Sequence, residues 1–136
     1  MKFVIHTDGG ARGNPGPAAI GVVIEDERKK KIKEFGKWIG NTTNNAAEYT
    51  AVIEALKAMK PLVGESPEIY FRLDSTLVVN QLNGLFKIKD PTLRSLATDI
   101  RILEQEVGGS VHYTAVPRQQ NWRADFLVNQ ALDTRF

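Results

Sequence analysis

Three strand-like runs follow one another before any helical spacing begins, and that succession constrains the fold most. Lys2 to Asp8, Ile20 to Glu25 and Lys31 to Ile39 alternate at the period of a pleated strand, the last two separated only by Asp26 to Lys30. Connections this short join antiparallel neighbours, so the first third of the chain is expected to form a meander. From Asn44 to Lys60 the spacing turns helical: Ala47, Ala51, Ala55, Ala58 and Met59 recur at threes and fours, and Pro61 and Gly64 end the run. Glu68 to Leu73 reads as a fourth strand, Ser75 to Asn83 as a short helix, Thr92 to Val107 as a longer one and Val111 to Val116 as a fifth strand. A last helix is predicted from Trp122 to Leu132, with Asn121 as its N-cap. The order βββαβααβα predicts an α/β fold, a five-stranded mixed sheet whose later strands run parallel to the first, with helices covering its faces.

The 136 residues are expected to form one domain, residues 1–136, large enough to bury a core without staples. With no cysteine, thiolate metal sites and disulfides are excluded, so any metal must be held by oxygen or by His6 and His112. Both histidines fall within predicted strands and read as structural. No apolar run approaches the roughly 20 residues of a membrane helix, and the N-terminus lacks a signal-peptide layout; a soluble, cytoplasmic protein is expected, with no membrane partner. The net charge of +2 is too small to establish a polyanionic partner, and the basic run Arg28 to Lys31 reads as a solvated hairpin tip.

The first strand ends on Asp8 and runs into GGARGNPGP. This stretch has neither the Gly-x-Gly-x-x-Gly spacing nor the Gly-Lys-Ser/Thr ending of a phosphate cradle, and a strand rather than a helix follows it. A turn accounts for Asn14, Pro15 and Gly16 but not for a carboxylate at the end of an apolar strand. Asp74 repeats the pattern after IYFRL, either as a second acid at the carboxyl edge of the sheet or as an N-cap, a role Ser75 could also fill. Glu48 shares a helical stripe with Val52, Ala55 and Met59, whereas Glu54 points away; its alternatives are a snorkelling or capping glutamate. Asp125 lies in the first turn of the last helix on the side of Val128 and Leu132, where the helix dipole alone would favour an acid. Taken together, four such acids suit hard cations such as Mg²⁺ or Mn²⁺, and two ions roughly 3.5 to 4 Å apart suit in-line attack at a phosphodiester.

The segments TDGGARGNPGP around Asp8, TTNNAAEY around Glu48, RLDS around Asp74, the NQLNG that follows and VPRQQNWRAD ending at Asp125 run in order through nearly the whole chain. In these the chain resembles type 1 ribonuclease H. The resemblance implies a ribonuclease H-like fold and hydrolysis of the RNA strand of an RNA/DNA hybrid, giving 5′-phosphate and 3′-hydroxyl ends. It implies two Mg²⁺ ions with substrate bound, Mn²⁺ substituting, held by Asp8, Glu48, Asp74 and Asp125 as the catalytic set. It further implies that Asn14, Asn44 and Asn45 touch the hybrid's minor groove and Thr43 a DNA phosphate, short amides being suited to bonding a 2′-hydroxyl.

The match has departures. The segment PRQQNW lacks the loop histidine many members carry, leaving Arg118 as an electrostatic auxiliary. Thr76 stands where members often have a substrate-contacting glutamine, and GLFKIKDPT offers only Lys87 and Lys89 in place of a basic protrusion. No separate hybrid-binding module is expected, and a monomer is the default. The alternative reading is a catalytically silent relative that only binds nucleic acid, which the presence of all four acids opposes.

Overall fold

The computed structural model describes residues 1–134. Its elements are β1 (Lys2–Ala11), β2 (Gly16–Asp26), β3 (Lys31–Thr42), α1 (Asn44–Met59), β4 (Glu68–Leu73), α2 (Thr76–Leu82), α3 (Pro91–Val107), β5 (Ser110–Ala115) and α4 (Trp122–Asp133). The strands form one sheet in the order β3-β2-β1-β4-β5, with β1, β2 and β3 antiparallel and β4 and β5 parallel to β1. This is the expected α/β mixed sheet.

Apolar side chains on one face of the sheet, Ile5, Ile20, Val22, Ile24, Ile69, Phe71 and Leu73, share the main core with Tyr49, Val52, Leu56 and Met59 of α1. Helix α3 adds Leu93, Ile100 and Leu103 to that core. Helix α4 lies on β1, β2 and β3, where Ala19, Val128 and Leu132 form a smaller cluster. Central strand β2 is covered from both sides, so every residue from Ala18 to Ile24 is buried. No helix among the described residues is long and apolar enough to cross a membrane.

Helix starts follow local chemistry. Thr43 caps α1 by accepting from the Ala46 N–H at 3.2 Å, and Ser75 caps α2 by accepting from the Val78 N–H at 3.2 Å. Asp90 caps α3 by accepting from Leu93, with Pro91 opening the helix. Asp74 and Asn44 are therefore free of capping duty. Asn121 departs from expectation: a 3-10 turn over Arg118–Asn121 leads into α4, and the Asn121 side chain makes no capping bond.

The first strand also runs further than its sequence suggests. It continues through Gly9 and Gly10 to Ala11, paired with Ile20, Ala19 and Ala18, so only Arg12 to Pro15 turn the chain. A Cβ on Gly9 would lie 2.3 Å from the Ala47 carbonyl, so the bare backbone lets α1 settle directly on β1. Gly21 does the same for α4: a Cβ there would stand 2.2 Å from the Ala124 carbonyl oxygen. The two glycines thus seat the residues that immediately precede Glu48 and Asp125.

Candidate active site

Strand β1 outlasts its parallel neighbour. Its pairing with β4 ends at His6 opposite Arg72, and two residues further along both chains stand Asp8 and Asp74. Past that point the backbone groups of β1 turned away from β2 have no strand to bond. Three side chains take them. Asn121 donates its amide to the Thr7 carbonyl at 2.7 Å, Glu48 accepts from the Gly9 N–H at 2.6 Å, and Asn44 accepts from the Ala11 N–H at 2.8 Å. Backbone groups left unmet away from water are costly, so these contacts help fix where α1 and the turn leading into α4 dock.

Asp8, Glu48 and Asp74 each bring a carboxylate oxygen to within 4.8 Å of the others. Asp125 stands outside this trio but lines the same cavity, and its charge acts on Asp8. Glu48 is only 6% exposed although it sits on a helix, which removes the snorkelling alternative. Burial raises all three members of the trio. Asp8 is pushed up to about 7 by burial and then by the Asp74 charge, with Asp125 adding and a hydrogen bond to Glu48 opposing. Glu48 is raised well above the usual carboxylate range by burial and by Asp8 and Asp74, partly offset by the Gly9 N–H. Asp74 is raised by burial, while the Arg118 guanidinium pulls it back. Such a cluster is electrostatically unfavourable when fully ionised, and an added cation offsets the repulsion by attracting every carboxylate and favouring its ionised form. An all-oxygen donor set at this separation fits hard divalent cations.

The acids line an open cavity of about 520 Å³ together with Gly10, Arg12, Asn44, Asn45, Arg118 and Asn129. Asn14 and Thr43 line an adjoining cavity of about 600 Å³, which also includes Asn44, Asn45 and Asp90. The Asn14 side-chain oxygen accepts from the Asn44 N–H at 3.0 Å, tying the turn after β1 to the first residue of α1. The predicted contact residues therefore form a polar wall running from the acids into the neighbouring recess. Sequence reasoning missed Asn121, which is almost wholly buried and whose side-chain oxygen also accepts from His6 Nδ1 at 3.1 Å. Because the Asn121 nitrogen is committed to Thr7, its oxygen faces His6, and the Nδ1–H form of the imidazole is the one that completes the bond. The sequence signal was an asparagine just ahead of a helix, the same signal a cap would give. Arg12, a wall residue from the turn, was also missed.

Residues 6–131 match the model of the family described as reverse transcriptase-like. The chain is 40% identical over 134 residues to a bifunctional protein of Mycobacterium tuberculosis, covering 98% of this chain and 36% of that protein. It is 44% identical over 129 residues to ribonuclease HI of Halobacterium salinarum, covering 94% of this chain and 63% of the relative. The chain thus spans between about a third and two-thirds of the length of these curated relatives. Among solved structures, the LC11 ribonuclease H1 in complex with an RNA/DNA hybrid superposes with a TM-score of 0.93 at 44% identity, covering 98% of each chain.

Proposed function

Because the chain belongs to the type 1 ribonuclease H family, we propose that it is an endoribonuclease that hydrolyses the RNA strand of RNA/DNA hybrids, leaving 5′-phosphate and 3′-hydroxyl ends. The observation that carries this reading is the convergence of Asp8, Glu48 and Asp74 within 4.8 Å, beside a wall of short amides. Asp8, Glu48, Asp74 and Asp125 are the residues that would hold two divalent cations, Mg²⁺ or in its place Mn²⁺. When bound, such ions supply an activated water and charge stabilisation at the leaving oxygen.

The chain's own groups do the remainder. Gly9 fixes the Glu48 carboxylate through its N–H, so the deepest acid arrives at the cluster already oriented. Asn14, Asn44 and Asn45 offer amides to the sugar edge, where a 2′-hydroxyl distinguishes RNA from DNA, and Thr43 offers a hydroxyl to a phosphate of the DNA strand. Arg118, on the wall beside Asp74, offsets negative charge near the reacting phosphate. No protein nucleophile is required.

The test is incubation of labelled hybrid, duplex RNA and duplex DNA with Mg²⁺, with Mn²⁺ and with EDTA. Cleavage of the RNA strand of the hybrid alone, dependent on metal, is expected. A hybrid left intact under both metals would instead identify a nucleic-acid binder without catalysis.

A further inference from the structure

A cavity walled by four acids must admit the backbone of a polyanion, so the cations on its wall matter. Among the described residues lining it these are Arg12 and Arg118. Arg12 projects from the turn after β1, and its guanidinium is held from α4: Nη1 lies 2.7 Å from Asp133 Oδ1, and Nη2 donates to Asn129 Oδ1 at 3.5 Å. Asn129 in turn donates to the Asp125 carbonyl at 3.0 Å, so the arginine rests on the turn of helix that carries the fourth acid. The two charged side chains are 46% and 63% exposed, so water screens the pair and little holds it closed. Asp133 moreover stands in the last turn of α4, where the helix dipole disfavours an acid. Neither helix stability nor burial accounts for the pair, whereas parking a phosphate-binding fork beside an acid cluster does.

We propose that Arg12 is a phosphate-binding residue for the hybrid, kept at the cavity wall by Asp133 until the nucleic-acid backbone displaces that carboxylate. The inference rests on the proposed substrate. Arginine suits the role because its planar fork bonds a phosphate through two parallel N–H groups. Asp133 and the phosphate compete for the same donors, so removing either partner of the ion pair changes binding in opposite directions.

The experiment measures binding of a labelled RNA/DNA hybrid by fluorescence anisotropy in EDTA, across a salt series, with melting curves to check folding and a separate Mg²⁺ cleavage assay of the wild type. Arg12→Ala is expected to weaken binding roughly three- to tenfold and to reduce the slope of log K against log[salt] by about one. Asp133→Asn is expected to tighten binding about two- to threefold, an effect that disappears in the Arg12→Ala background, and Arg12→Lys to restore the salt slope. An unchanged salt slope in Arg12→Ala, or weaker binding in Asp133→Asn, would make the pair a structural strap and overturn the proposal. A wild type that binds hybrid without cutting it in Mg²⁺ overturns the activity and leaves the Arg12 measurement readable; one that cuts hybrid without binding it in EDTA overturns the Arg12 proposal alone, and one that neither binds nor cuts overturns both.

Discussion

Asp8 sits in an electrostatic conflict that a single substitution can test. Its ordinary value is 3.8, and burial with a neighbouring carboxylate pushes it up to about 7 in the folded state. A raised acid binds its proton more tightly when folded, so its contribution to stability is complete below about pH 4 and is lost as pH rises through 7. Glu48 is displaced in the same direction. Without metal, the protein is therefore expected to lose stability between pH 4 and pH 8, and Asp8→Asn to flatten that decline. Urea denaturation in EDTA should show the variant at least as stable as wild type at pH 8 and little different at pH 4, while cleavage is abolished. A variant much weaker at pH 8 would mark Asp8 as structural. At this scale the sequence was informative wherever a residue broke a pattern. Asp8 interrupts an apolar strand and Glu48 an apolar helical stripe, so both were visible from spacing alone. Asn121 obeys the local rule for a helix start, so nothing local distinguished its long-range bond to Thr7 from capping. Arg12 drew no reading of its own because its partners Asn129 and Asp133 lie more than a hundred positions away.

Helices α1 and α4 place two of the four acids, and each reaches the sheet over a glycine. Adding a methyl at Gly9 would drive it into the Ala47 backbone, which can yield only by moving α1. Gly9→Ala is expected to cost about 1–3 kcal/mol, in line with overpacked cores. Displacing Glu48 by about 1 Å should lower kcat on the order of a hundredfold. Denaturation midpoints and steady-state cleavage check the two effects separately; unchanged activity would mean that the helix position does not set the site. The elements themselves were largely readable, since their periods and punctuation are local. Where β1 ends was not, because a Gly-Gly pair signals a turn unless a partner strand and a closely packed helix are known to be present. β2 supplies the first and α1 the second.

For the molecule as a whole, ligand linkage offers a test that does not depend on turnover. Mg²⁺ at about 100 times its dissociation constant is expected to stabilise the fold by roughly 2.7 kcal/mol per independent site, seen as a rise of several degrees in melting temperature. Asp8→Asn or Asp74→Asn should abolish most of that rise. An equal rise in those variants would place the ion elsewhere. The sheet's mixed character could be inferred from element order, because helix-linked strands run parallel and hairpin-linked ones do not. The meeting of Asp8, Glu48 and Asp74, with Asp125 on the wall of the same cavity, could not be derived from any single element; it required the register that sets Asp74 beside Asp8 and the docking of the helices that carry Glu48 and Asp125. The stretch of β1 beyond β4 has one more consequence. A half-paired strand is an open invitation to a foreign chain, and proteins commonly guard such margins. Here the rungs an intruder would need at Thr7, Gly9 and Ala11 are already filled by Asn121, Glu48 and Asn44. The margin where chemistry is proposed thus offers a foreign strand few free rungs.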